Sequence, residues 1–139
     1  MSVAKCHTIA LQRLGNAGGG LVAVEAMQHI PFEIQRVYYL FALAPAAIRG
    51  EHAHKELQQI YIALNGTFDV VLEDGLDSRT ETLSAPDVGL YIGPNVWRRL
   101  ENFTPGAICL VLASQHYDEA DYWRDKTQFL ADVARLREK

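Results

Sequence analysis

With 139 residues, 49% of them hydrophobic and 22% charged, the chain has the length and apolar content for one globular domain with a sizeable core, and too little for a second. A formal net charge of −4 argues against a nucleic-acid or anionic-membrane partner, since an acidic field attracts neither. No apolar run approaches the ~20 residues of a membrane helix, and the N-terminus lacks a signal peptide's long apolar core, so a cytoplasmic protein is expected, with Cys6 and Cys109 as buried free thiols rather than a disulfide framework.

In chain order, residues 5–14 read as a first strand, the glycine-rich stretch 16–20 as a flexible turn, and LVAVEA (residues 21–26) as a second strand. Residues 31–41, PFEIQRVYYLF, have the β-branched and aromatic richness of a buried strand, followed by a loop around Pro45. The stretch RGEHAHKELQQIYIALNG (residues 49–66) carries His52 and His54 two residues apart, which on a strand puts both imidazoles on one face. Two imidazoles on one wall make a candidate site; the alternative is decoration of a solvent face. Asn65-Gly66 and Asp74-Gly75 bracket TFDVVLE, and both dipeptides signal tight hairpin turns, so successive strands are expected to run antiparallel. Further strands are predicted over 79–84, 88–92, 96–100 and 107–114. Short strands at this spacing with almost no helix predict an all-β sandwich or barrel, and a jelly roll is the version that places the H-x-H inside. In the tail, residues 118–139, apolar Tyr122, Phe129, Leu130, Val133 and Leu136 recur at helical spacing. The expected helix packs on the barrel or a partner subunit, with Asp118 or Asp121 as its cap and Arg135, Arg137 and Lys139 at the negative end of its dipole.

A glycine, an H-x-H strand and a closing glycine turn resemble the first motif of the cupin superfamily. Where a metal-binding cupin places glutamate this chain has Gln59, and in the later run GPNVWRR (residues 93–99) arginine stands in place of histidine. A catalytic metal site wants about three protein ligands and repels a cation, so no metal is expected. Imidazoles that titrate near pH ~6.5 do suit proton transfer.

Nearly the whole chain resembles the nucleotide-sugar 3,4-ketoisomerases, small cupin enzymes of deoxysugar biosynthesis. The resemblance rests on IPFEIQRVYYLF (30–41), RGEHAHKELQQ (49–59), LNG followed by VVLEDG (64–75), VGLYIGPNVWRRLENF (88–103) and LVLASQHYDEADYWRD (110–125). It implies isomerisation of dTDP-4-keto-6-deoxyglucose to a 3-keto sugar without metal or cofactor, on a route to amino sugars such as those of O-antigen, by a homodimer that exchanges N-terminal strands. One of His52 and His54 would then move the carbon-bound proton, while the other and Tyr38 serve the oxygens; Tyr39, of opposite parity, packs. Arg36, Arg49, Arg98 and Arg99 are candidates for the diphosphate, Trp97 and Tyr91 for stacking on the pyrimidine, and Gln59 is counted with the substrate-binding residues. His7, His29 and His116 are expected to be structural or exposed. Members of the family carry an arginine in the turn before the second strand where this chain has Gly18-Gly19-Gly20, a departure that bears on product stereochemistry and sugar choice. A 3,5-epimerase on the same sugars, a metal-dependent cupin enzyme and a non-catalytic sugar-nucleotide binding module are the competing readings.

Overall fold

Short β-prone runs separated by turn residues fold into strands too brief to be stable alone, so they are buried by stacking two sheets. The computed structural model describes residues 2–138. One five-stranded sheet contains β1 (His7–Ala10), β4 (Arg36–Leu40), β6 (Gln59–Asn65), β9 (Val88–Ile92) and β11 (Ile108–Ala113), in the order β1-β9-β6-β11-β4. The other contains β5 (Arg49–His54), β7 (Phe68–Glu73), β8 (Ser78–Leu83), β10 (Trp97–Glu101) and β12 (Tyr122–Trp123), in the order β12-β5-β10-β7-β8. A separate two-stranded ribbon joins β2 (Arg13–Asn16) to β3 (Gly19–Val22), and α1 (Lys126–Arg137) closes the chain. All ladders between these strands are antiparallel, as the cupin-like jelly-roll expectation requires.

The two turn dipeptides do different jobs. Asp74-Gly75 closes the expected hairpin: β7 pairs with β8, and Asp74 Oδ1 accepts from the amides of Leu76 and Asp77. Asn65-Gly66 instead carries the chain across from one sheet to the other, so β6 and β7 are not hydrogen-bonded neighbours. Gly66, at φ +67°, is packed so closely on the turn before β11 that a Cβ would come within 2.9 Å of Ala107 Cα. A corner of this kind uses the same backbone as a hairpin, which is why sequence alone reads both alike.

Alternation along each strand sorts side chains between the interior and the outer faces. Tyr61, Phe68, Val70, Leu72, Leu90, Ile92, Leu100 and Val111 fill the space between the sheets. On the outer face of the first sheet Ile60, Ile62, Tyr91 and Leu112 are covered by Ile30 and Phe32. Each fully buried aliphatic or phenyl side chain contributes about 1.5–3 kcal/mol, and this interior is what fixes the register of the site strands. Cys6 and Cys109 are buried free thiols, and burial pushes Cys109 up to about 12, away from thiolate chemistry.

Four predicted elements differ in the structure. The first strand divides into β1 and β2, and the second begins earlier, at Gly19, because the ribbon turns at Ala17-Gly18. The strand predicted over 31–41 shortens to β4, an edge strand whose Arg36, Tyr38 and Leu40 turn inward while Val37 and Tyr39 stay exposed. The tail helix starts at Lys126, capped by Asp125, whose side chain accepts from Gln128 N at 3.0 Å. Asp118 caps only a 3-10 turn, while Asp121 turns inward and Tyr122-Trp123 pair with β5. Phe129 and Val133 bury the helix on Trp97, Trp123 and Ala53, whereas Leu130 and Leu136 remain exposed. Arg135 and Arg137 lie in the last turn as expected, and Lys139 lies outside the described residues. Among the described residues no helix is long and apolar enough to cross a membrane.

Candidate active site

Strand β5 is the spine of the site. His52 and His54 share its inner face, as period two requires, with ring centroids 4.8 Å apart in an edge-to-face arrangement. Gly50, at φ +66°, interrupts the ladder with β10: Arg98 faces His52, but Leu100 faces Arg49. A glycine bulge of this sort resets parity, and it brings Arg49 to the same cavity as His52. The cavity encloses about 340 Å³, with Arg36, Tyr38 and Leu40 of β4 on one side, Gly50 and His52 on another, and Tyr122 and Arg124 at the mouth.

His52 faces the cavity; His54 lies behind it, fully buried, its ring centroid 4.3 Å from that of Tyr122 in a tilted arrangement. Burial and the nearby Arg98 lower His52 to about 3, with Arg124 and Arg36 adding to the shift and the Gly50 backbone opposing it. Its imidazole is therefore neutral at pH 7, and its buried Nε2 has no hydrogen-bond partner. Burial, Arg98 and His52 also hold His54 neutral. The carboxylate of Asp121 fixes the tautomer. Oδ2 lies 3.0 Å from His54 Nδ1 and can only accept, so the proton sits on Nδ1 and Nε2 is bare. Asp121 is itself held by the amides of Glu56 at 2.8 Å and Leu57 at 3.2 Å. Among the described residues no group of three His, Cys, Asp or Glu side chains is placed to hold a metal ion.

Arg98 is fully buried without a carboxylate partner. Its guanidinium donates to Gln59 Oε1 at 2.6 Å, to Val96 O at 2.8 Å and to Gly93 O at 3.4 Å. Gln59, also fully buried, donates from Nε2 to the Tyr38 hydroxyl oxygen at 2.9 Å. Neither Arg98 nor Gln59 lines the cavity; both stand behind Tyr38.

The residues singled out in the sequence thus separate into groups. His52, Tyr38, Arg36 and Arg49 meet at the cavity, with His54, Gln59 and Arg98 behind them. Trp97 and Arg99 alternate with Arg98 and face the other side of β10, Trp97 packed on Phe129 under the helix and Arg99 paired with Glu101. Tyr91 is on the outer face of the first sheet, its hydroxyl donating to Gln58 Oε1 and its ring against His7. Structure adds three residues that the pattern missed: Asp121, Tyr122 and Arg124. All three sat inside a stretch read as helix; the overlooked signal was the adjacent Tyr122-Trp123, two aromatics of high β-propensity.

Residues 4–134 match the family described as FdtA: WxcM-like, C-terminal. The chain is 42% identical, over 128 residues that cover 92% of each protein, to a TDP-4-oxo-6-deoxy-alpha-D-glucose-3,4-oxoisomerase of Aneurinibacillus thermoaerophilus. Among solved structures it is similar to a 3,4-ketoisomerase from Helicobacter canadensis, with TM-score 0.91 and 42% identity, covering 94% of this chain and 98% of the other. It is also similar to a histidine-to-asparagine mutant of the 3,4-ketoisomerase from Thermoanaerobacterium thermosaccharolyticum in complex with TDP-4-keto-6-deoxyglucose, with TM-score 0.93, 37% identity and 96% of both chains covered. A family match along almost the full length, joined to identity of this order, makes the chain a member of the FdtA family, alongside these sugar-nucleotide 3,4-ketoisomerases.

Proposed function

We propose that the chain moves the carbonyl of a TDP-4-keto-6-deoxyhexose from C4 to C3, with His52 as the carbon base and no metal or cofactor. The observation that carries this reading is the neutral His52 imidazole, its Nε2 unpartnered, on the wall of a cavity that Tyr38 also lines. Nε2 takes the C3 proton, and the C–H electron pair forms the C3=C4 bond as the C4 carbonyl becomes an enediolate oxygen. The Tyr38 hydroxyl donates to that developing charge. The Tyr38 hydroxyl passes its hydrogen to O4 and takes the proton that leaves O3; as the C3 carbonyl forms, the C3=C4 electron pair takes a proton back from the imidazolium at C4, so composition is unchanged. An imidazole this hard to protonate becomes more basic when an anion forms beside it. His54, tied to Asp121 with a bare Nε2, is a second proton station next to His52.

The nucleotide's diphosphate is met by local cations, since the chain as a whole is acidic. Arg36, Arg49 and Arg124 line the cavity, and Nε and Nη2 of Arg36 are buried without partners. A homodimer is part of the same reading. Among the described residues the β2–β3 ribbon pairs with no other strand, Leu14 and Leu21 on it are exposed, and so are Val37 and Tyr39 of edge strand β4 and Phe41 just after it. In one copy β1 pairs with β9, the edge at which a partner's N-terminal strand would exchange.

The test is incubation with TDP-4-keto-6-deoxyglucose and NMR of the product, on protein freed of metal by chelation. A 3-keto sugar from metal-free protein supports the reading. A product that keeps the C4 ketone with inverted stereocentres, activity lost with a bound metal, or binding without turnover would replace it.

A further inference from the structure

Arg98, Gln59 and Tyr38 form a chain of hydrogen bonds whose direction is fixed by chemistry. A guanidinium can only donate, so the Gln59 atom 2.6 Å from Arg98 Nη1 is the carbonyl oxygen. The other end of the amide is then NH2, which can also only donate, and it lies 2.9 Å from the Tyr38 oxygen. Tyr38 therefore accepts from Gln59, and its own hydrogen is free for a different acceptor. Tyr38 lines the cavity. Burial raises the Tyr38 phenol above its ordinary value, and the Gln59 bond opposes that rise, as a donor to the phenolic oxygen should.

We propose that Gln59, locked by Arg98, is a positioning residue that keeps the Tyr38 hydroxyl a donor toward the sugar oxygen; this rests on the ketoisomerase reading above. A carboxylate in its place would reverse the last bond. One carboxylate oxygen would still accept from Arg98, but the second would also accept, drawing the Tyr38 hydrogen back into the barrel. Methionine would leave Tyr38 unoriented without capturing its hydrogen, and would leave Arg98 without its 2.6 Å acceptor.

These substitutions order activity and stability oppositely. Gln59→Glu should lower kcat by about 10²-fold, the loss expected of one donor to a developing oxyanion, with KM within about threefold of wild type. Its Tm should not fall, because a buried guanidinium gains a carboxylate. Gln59→Met should lower kcat by only about 10-fold while lowering Tm. In a Tyr38→Phe background, Gln59→Glu should cause no further loss. If Gln59 were merely structural, methionine would harm activity more than glutamate, and the glutamate loss would persist in the Tyr38→Phe background. Either result overturns the inference, as does a Gln59→Glu protein that fails to fold or keeps kcat within threefold. The wild-type control separates the two levels: an active wild type with the wrong variant order sinks only the positioning role, whereas an inactive wild type sinks the ketoisomerase reading and this inference with it.

Discussion

Replacing Asp121 by alanine removes the acceptor of three hydrogen bonds: His54 Nδ1 at 3.0 Å, Glu56 N at 2.8 Å and Leu57 N at 3.2 Å. Each donor left behind costs about 1 kcal/mol, the low end of the range, because Asp121 borders an outer cleft through which water can enter. The sum is roughly 3 kcal/mol, or about 10 °C in Tm for a chain of this length. The larger effect is chemical. Without the carboxylate His54 is no longer obliged to carry its proton on Nδ1, and a ring that takes the Nε2–H form presents a donor where the site has a bare nitrogen. A kcat loss of about 10²-fold is expected, at the lower end for a misplaced proton-transfer group. Asp121→Asn is milder, since one amide oxygen can keep the bonds from His54 and Leu57 and leave only the Glu56 amide facing an NH2; a loss under about 10-fold is expected. Thermal unfolding, NMR-monitored turnover and the ¹⁵N shifts of the His54 ring measure the three effects. A folded Asp121→Ala protein with wild-type kcat and an unchanged Nδ1–H tautomer would refute the reasoning.

His52 has a folded-state pKa near 3 against about 6.5 unfolded, so the unfolded chain binds more protons between those values and stability falls as pH drops through that window. The loss from pH 7 to pH 5 is about 2 kcal/mol for His52, with His54 adding in the same direction, and urea unfolding at the two pH values would show it; equal stability would contradict the neutral buried pair. For the same reason kcat/KM should stay level from pH 8 to pH 5 instead of falling near 6.5, and a break at 6.5 would mean that an ordinary exposed imidazole is the base. Arg36→Ala removes two unpartnered donors from the cavity and should weaken TDP binding about 10- to 100-fold by calorimetry, whereas unchanged affinity would place the diphosphate elsewhere. Trp97→Ala should destabilise by about 3–5 kcal/mol without changing TDP affinity, because the indole is buried under the helix; a large change in affinity would mean that it does reach the nucleotide.

How far each feature was legible depended on the range of the interaction that made it. The two histidines were readable because strand parity is local: period two puts His52 with His54 before any fold is known, whereas Tyr38 came from the family resemblance, and parity added only that Tyr39 faces the other way. The same rule applied to GPNVWRR would have placed Arg98 apart from Trp97 and Arg99, a consequence that chemical type alone hid. Arg49 broke parity through the bulge at Gly50, whose signal was the glycine itself. Asp121 was illegible for a different reason. It lies 67 residues from His54 along the chain, and only the pairing of β12 with β5 brings the two together. Likewise Asn65-Gly66 carries a turn signal but no information about which sheet receives the next strand; that is settled by burial of Phe68, Val70 and Leu72 between the sheets.

The most direct measurement compares wild type with His52→Asn in deuterated water, following the C3 hydrogen of TDP-4-keto-6-deoxyglucose by proton NMR. With His52 as the carbon base, wild type forms the 3-keto sugar and exchanges that hydrogen. The variant, still binding TDP, should lose at least ~10²-fold in both rates. Exchange at the wild-type rate in the folded variant would show that another group takes the proton.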